Sequence, residues 1–131
     1  MEEKIYLIDT NIIVDLFRNI QKVKKKLLKL NSINISVIVY GELIYGIENS
    51  SQKEKHLNEL NNFLKSCLII PITKNTAKTY GKIKTALKKQ GTPIPENDIW
   101  IAAQAIEQGA VLLSNDKHFD LIKDLQLEKA Y

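Results

Sequence analysis

The chain has 131 residues, 44% of them hydrophobic and 26% charged. That is the balance of one globular domain, long enough to bury roughly two-thirds of its extended surface. No apolar run approaches the ~18 residues of a membrane span, and a single cysteine, Cys67, excludes an internal disulfide and a thiolate metal cluster.

The short acidic start, "MEEK", is not expected to be a signal peptide, and the reducing cytoplasm is the default compartment. The net charge of +4 and the pI of about 9.1 lean toward a polyanionic partner. Lysines on solvated helix faces account for the same excess. Arg18 is the only arginine, so phosphate contacts would be mostly point charges rather than bidentate forks.

In chain order, Ile5–Ile8 reads as a short strand and "TNIIVDLFR" as a brief helix. "VKKKLLKL" supplies a helix with a basic face, and Ile33–Ser36 a second strand. Val37–Glu48 carries Tyr40, Leu43, Ile44 and Ile47 on one helical stripe. Gln52–Lys65 is amphipathic through Leu57, Leu60 and Leu64, and "CLIIPI" is a third strand. Thr76–Gln90 has helical spacing, with Gly91 placed to end it. "TPIP" is a loop. Glu96–Gln108 is a helix apolar almost all round, ended by Gly109. "VLLS" is a fourth strand and "LQLEKAY" a possible fifth.

Strands alternating with helices predict an α/β fold: a central parallel sheet of four to five strands with helices on both faces, as one domain spanning 1–131. "LIIP" and "AVLL" are continuously apolar, which predicts strands buried on both faces.

In an open parallel sheet, ligands bind beyond the carboxyl ends of the strands. Asp9 ends the first strand and Asp116 follows the fourth. Asp98 lies in the first turn of its helix and Glu42 in the first half of another. Helix N-termini lie at that same edge, so the four acids should converge there. Each also has a bland account. Asp9 caps a helix, Asp98 complements a helix dipole, and Asp116 in "SNDKHFD" is turn chemistry. Glu42 and Asp98 have no basic residue three or four places away. Gly41 and Gly46 beside Glu42 cost helix propensity, which points to close packing or a cavity.

Two carboxylates about 4 Å apart repel by about 4 kcal/mol at an effective dielectric near 20. Several together either raise their pKa values or bind a divalent cation. An oxygen-only donor set suits Mg²⁺ or Mn²⁺ rather than Zn²⁺, and such ions serve phosphodiester hydrolysis. There is no glycine-rich phosphate loop and no G-x-S-x-G elbow. His56 reads as a surface residue, His118 as a neighbour of Asp116 not needed as a ligand, and Trp100 as core.

"LIDTNIIVDLF", "YGELIYGI", "IPENDIWIAAQA" and "LLSNDKHF", in this order and spacing, resemble the PIN-domain ribonucleases, most closely the VapC-type toxins of toxin–antitoxin pairs. The resemblance covers nearly the whole chain and places the family's acids at Asp9, Glu42, Asp98 and Asp116. Ser114 stands where the family more often has threonine, so the hydroxyl is kept. The resemblance implies a parallel sheet flanked by helices, Mg²⁺- or Mn²⁺-dependent cleavage of RNA, a homodimer, and a small antitoxin that puts a basic residue into the acidic pocket; no membrane partner is expected, for want of a long apolar run. Thr10, Asn11 and Ser114 are expected near the substrate, Thr10 and Asn11 orienting Asp9 or a water. Basic stretches Lys22–Lys29 and Lys82–Lys89 are expected to line the RNA approach. Two other readings are a catalytically silent RNA-binding domain and a Mg²⁺-dependent phosphoaspartyl protein. The latter fits poorly, because Asn11 stands where such a phosphatase needs its second aspartate.

Overall fold

The computed structural model describes residues 4–131; the opening tripeptide, with most of the acidic start, lies outside them. The chain runs β1 (Tyr6–Ile8), α1 (Thr10–Phe17), α2 (Gln21–Leu28), β2 (Ile33–Ser36), α3 (Val37–Glu48) and α4 (Lys53–Leu64). It continues through β3 (Cys67–Ile70), α5 (Lys74–Gln90), α6 (Glu96–Gln108), β4 (Val111–Leu113), a 3-10 turn (Lys117–Leu121) and β5 (Leu127–Glu128). No described helix is long and apolar enough to cross a membrane.

Helices α1, α3 and α5 begin where a side chain takes up one of the free N–H groups. Asp9 caps α1, and Ser36 caps α3 by accepting from Ile38 N at 2.9 Å. Thr73 and Thr76 close a reciprocal capping box at the start of α5. Gly91 and Gly109 end α5 and α6 at φ 72° and 63°, a conformation that a Cβ would strain.

The five strands form one parallel sheet in the order β3-β2-β1-β4-β5. The chain builds outward from β1 to β3, then crosses back to lay β4 on the other side of β1. The order therefore reverses between β1 and β4, and the carboxyl ends of these two strands frame the crevice where such sheets bind ligands. Asp9 N donates to Leu113 O at 3.0 Å, which carries the pairing one residue past β1. Both central strands are buried throughout. Burying an aliphatic side chain such as Ile8 or Leu113 stabilises the fold by about 1.5–3 kcal/mol.

Helix α6 buries Ile101 together with Ala102, Ala103 and Ala105, and the three alanines admit it close to the sheet. Buried Gln104 donates Nε2 to Ile70 O and Pro71 O at 2.9 and 3.0 Å. That ties α6 to the end of β3 and sets its first turn at the carboxyl edge.

Three expectations need correction. β3 is not buried on both faces. It is an edge strand paired only with β2, and Leu68 and Ile69 are 68% and 39% exposed. A continuous apolar run marks a strand but not its place in the sheet. β5 is only Leu127–Glu128, so Lys129–Tyr131 runs on beyond the sheet. Trp100 is half-buried rather than core: it stacks on Tyr80 of α5 with centroids 4.0 Å apart and planes 8° from parallel.

Candidate metal centre

A cleft of about 350 Å³ opens at the β1–β4 carboxyl edge, lined by Asp9, Glu42, Asp98 and Asp116. The four acids arrive from four elements: the cap of α1, the middle of α3, the first turn of α6 and the loop after β4. Thr10 and Asn11 line it too, as do Asp15 and Arg18 of the α1 region. Neither Asp15 nor Arg18 stood out in the sequence. Their spacing from Asn11, four and seven residues along one helix face, was the available signal.

Asp9 is 4% exposed. Its Oδ1 accepts from Thr10 N at 2.9 Å, and its Oδ2 accepts from Ser114 Oγ at 2.7 Å and Asn11 Nδ2 at 3.3 Å. Burial pushes this carboxyl up from 3.8 to about 6. The bonds from Ser114 and Thr10 pull it down, and the charges of Asp98 and Glu42 push it up. Asp9 is thus a helix cap, as its bland account has it, and also the deepest acid of the cleft.

Ser114, expected near the substrate, is completely buried. Its oxygen also accepts from Asp116 N at 3.0 Å and Asn11 Nδ2 at 3.4 Å. It joins Asp9 to the Asp116 loop and has no exposed surface with which to meet a substrate. Thr10 donates its hydroxyl to Glu42 Oε1 at 2.8 Å, so α1 orients the acid of α3. A Cβ on Gly41 or Gly46 would meet nothing within 4 Å. Of the two accounts of these glycines, open space holds, and each lines a groove beside Glu42.

His118 sits between the remaining acids. Its Nδ1 is 3.0 Å from Asp98 Oδ2 and 3.1 Å from Asp116 Oδ1, and its backbone N donates to Asp116 Oδ1 at 2.9 Å. Asp98, Asp116 and His118 can bring one ligand atom each within 4.8 Å of the others. Burial raises the Asp98 carboxyl, the His118 bond lowers it, and the charge of Asp116 raises it again. From the sequence His118 is only a neighbour of Asp116 not needed as a ligand; the turn that folds its ring back onto both acids is a feature of the structure.

The acidic cleft continues into an apolar groove of about 360 Å³ that shares Thr10, Val14, Arg18 and Glu42 with it. Val14, Phe17, Leu43 and Ile47 line the groove, with His56 at its edge. His56 is therefore not merely a solvated residue, although its ring also lies 3.6 Å from Glu59.

The site donors fit a hard divalent ion. They are carboxylates with one imidazole, they carry more negative charge than the nearby side chains balance, and the deepest of them is held partly protonated near pH 6.

A parallel sheet in this order, with acids at its switch point, defines a class of α/β domains with an acidic, cation-accepting edge. The sequence model of the PIN domain matches residues 6–125. Ribonuclease VapC1 of Haemophilus influenzae strain R2866 is 37% identical over 127 residues, covering 93% of this chain and 95% of the relative. Ribonuclease VapC2 of Rickettsia felis is 36% identical over 133 residues, covering 95% and 96%. The crystal structure of VapBC2 from Rickettsia felis, bound to a DNA fragment from their promoter, matches with a TM-score of 0.89 at 35% identity, over 95% of this chain and 98% of that one. The chain belongs to the PIN domain family and, within it, to the group of the VapC ribonucleases.

Proposed function

We propose that this protein is a metal-dependent endoribonuclease and the toxin of a toxin–antitoxin pair, with Mg²⁺ or Mn²⁺ as its ion. The observation that carries this reading is the meeting of Asp9, Glu42, Asp98 and Asp116, from distant parts of the chain, on one cleft at the switch point of the sheet. The curated relatives are named ribonucleases, which supports RNA as the substrate.

Asp98 and Asp116, with His118 beside them, would hold the ion, and Asp9 and Glu42 would complete its surroundings. When bound, a divalent ion supplies charge neutralisation at the phosphodiester and an activated water. The remaining work falls to the chain. Ser114 and Asn11 fix the Asp9 carboxylate, Thr10 fixes that of Glu42, and His118 holds Asp98 and Asp116 at a shared distance. Arg18 at the cleft wall is placed to meet a backbone phosphate.

The antitoxin reading is supported by the groove. A segment with apolar side chains on Phe17, Leu43 and Ile47 could place a following basic residue in the acidic cleft, where a cation is lacking. The solved VapBC2 complex is a relative in this sense. A homodimer and residence in the cytoplasm belong to the same reading. The lone Cys67 suits a reducing compartment.

The test is cleavage of RNA with Mn²⁺ or Mg²⁺, with and without chelator, by wild type, Asp9→Asn and Asp98→Asn. Loss of cleavage in both variants and in chelator supports the reading; undiminished cleavage by both variants sinks it. A silent RNA-binding domain would bind RNA without cutting it under any metal condition.

A further inference from the structure

Consecutive residues bridge two walls of the acidic cleft. One wall is α1, which carries Asp15; the other is the loop Ser114–Asp116 after β4. Ala130 N donates to Asn115 Oδ1 at 2.9 Å. The next residue, Tyr131, donates its hydroxyl to Asp15 Oδ2 at 2.9 Å. Earlier in the segment, Glu128 O accepts from Ser114 N at 3.0 Å. Lys129 Nζ donates to Asp116 O at 3.4 Å and pairs with Asp120 at 3.3 Å. Lys22 Nζ lies 5.6 Å over the Tyr131 ring. Each residue from Glu128 to Tyr131 therefore reaches α1 or the region of the Asp116 loop.

The sheet does not account for this. β5 ends at Glu128, and Tyr131 is 58% exposed. Polar contacts more than burial hold the last residues in place. Asp116 is carried by a loop whose side-chain anchors are the Ser114 hydroxyl, the Asn115 amide and His118. Ser114 and His118 already belong to the acidic cluster; Asn115 alone turns away from it, to the Ala130 backbone.

We propose that Asn115 and Lys129–Tyr131 form a clamp that sets Asp116 against α1, and that they are positioning residues for the metal site. The inference rests on the metal-dependent reading above and adds to it the residues that hold the site closed. A carboxylate on an unclamped loop must be ordered when the ion binds, and that entropy is lost from the binding. Outer partners of metal ligands typically change affinity by about 10–100-fold. The clamp acts through Asp116 and Asp15, and none of its members need touch the ion.

The experiment uses the full chain as wild type, Asn115→Ala, Tyr131→Phe and Leu60→Val, the last a core substitution on α4 away from the cleft. Three quantities are read: Mn²⁺ affinity by electron paramagnetic resonance, cleavage rate against Mn²⁺ concentration, and amide exchange of residues 114–118. The expected result is a roughly tenfold weaker Mn²⁺ affinity in Asn115→Ala, with a smaller loss in Tyr131→Phe. The rate should recover at saturating Mn²⁺, and exchange in the loop should quicken in both. Leu60→Val should lower thermal stability while leaving Mn²⁺ affinity and loop exchange at wild-type values. Wild-type affinity in Asn115→Ala, or an equal loss in Leu60→Val, overturns the clamp. Should wild type bind no Mn²⁺, the metal reading itself falls, and unchanged loop exchange in Asn115→Ala then overturns the clamp separately.

Discussion

Ser114 donates its hydroxyl to Asp9 at 2.7 Å across 105 residues of sequence, with both side chains buried. One residue ends the pairing of β1 and the other follows β4, so the bond joins the two strands at the point where the sheet order reverses. It stabilises the charged form of an acid that its surroundings would otherwise keep protonated.

Ser114→Ala should therefore raise the Asp9 pKa further and release Asp116 N from its acceptor. Metal affinity should fall roughly tenfold, and the pH at which the ion begins to bind should move upward. Ser114→Thr keeps the hydroxyl and should behave closer to wild type. Mn²⁺ titrations between pH 5 and 8, values chosen to bracket the folded pKa of about 6, check both statements.

Asp9→Asn should abolish cleavage while stabilising the metal-free protein. The Asp9 carboxyl titrates near 3.8 when unfolded and near 6 when folded. Its folded form holds the proton more tightly, so its contribution is fully present below about pH 4 and is lost as pH rises through about 6. That loss is at most about 3 kcal/mol. Urea unfolding in chelator should show wild type weakening from pH 4 to 7 relative to Asp9→Asn. Saturating Mn²⁺ should reverse the order, because an ion that binds only the folded protein stabilises it.

Arg18→Ala should weaken RNA binding without changing Mn²⁺ affinity. Arg18 lines the cleft wall, and no described carboxylate pairs with it. Losing one phosphate contact should raise KM several-fold at constant kcat and reduce the slope of log affinity against log salt by about 1. Affinity measured at several salt concentrations reads this directly.

Gly109→Ala tests the frame apart from the chemistry. Gly109 ends α6 at φ 63°, where a Cβ is strained, though nothing lies within 4 Å of it. The cost should be about 1 kcal/mol of stability. Activity at low temperature should be retained, since the first turn of α6, with Asp98, lies at the opposite end of the helix. Chemical denaturation alongside a cleavage assay separates the two effects.

Three of the four acids were legible because each sits at a boundary between elements: Asp9 after a strand, Asp116 after another, Asp98 in the first turn of a helix. Parallel topology sends such boundaries to one edge whatever the side-chain detail. Glu42 was legible through glycines that no packing requirement explains, and the open space beside them is there. His118 and Asn115 were not legible in this way. Their roles depend on how a loop folds back within a few ångströms, which no periodicity records.

By itself the sequence determined the order and type of the elements, the parallel sheet and the edge on which the acids meet, because hydrophobic period and capping residues act locally. Only the tertiary structure decided that β3 lies at the sheet edge, that Trp100 stacks half-exposed on Tyr80, that Ser114 holds Asp9 from behind and that Tyr131 reaches Asp15. Those relations join residues distant in the chain. Their energies depend on separations and burial that exist only once the sheet has closed its order around β1.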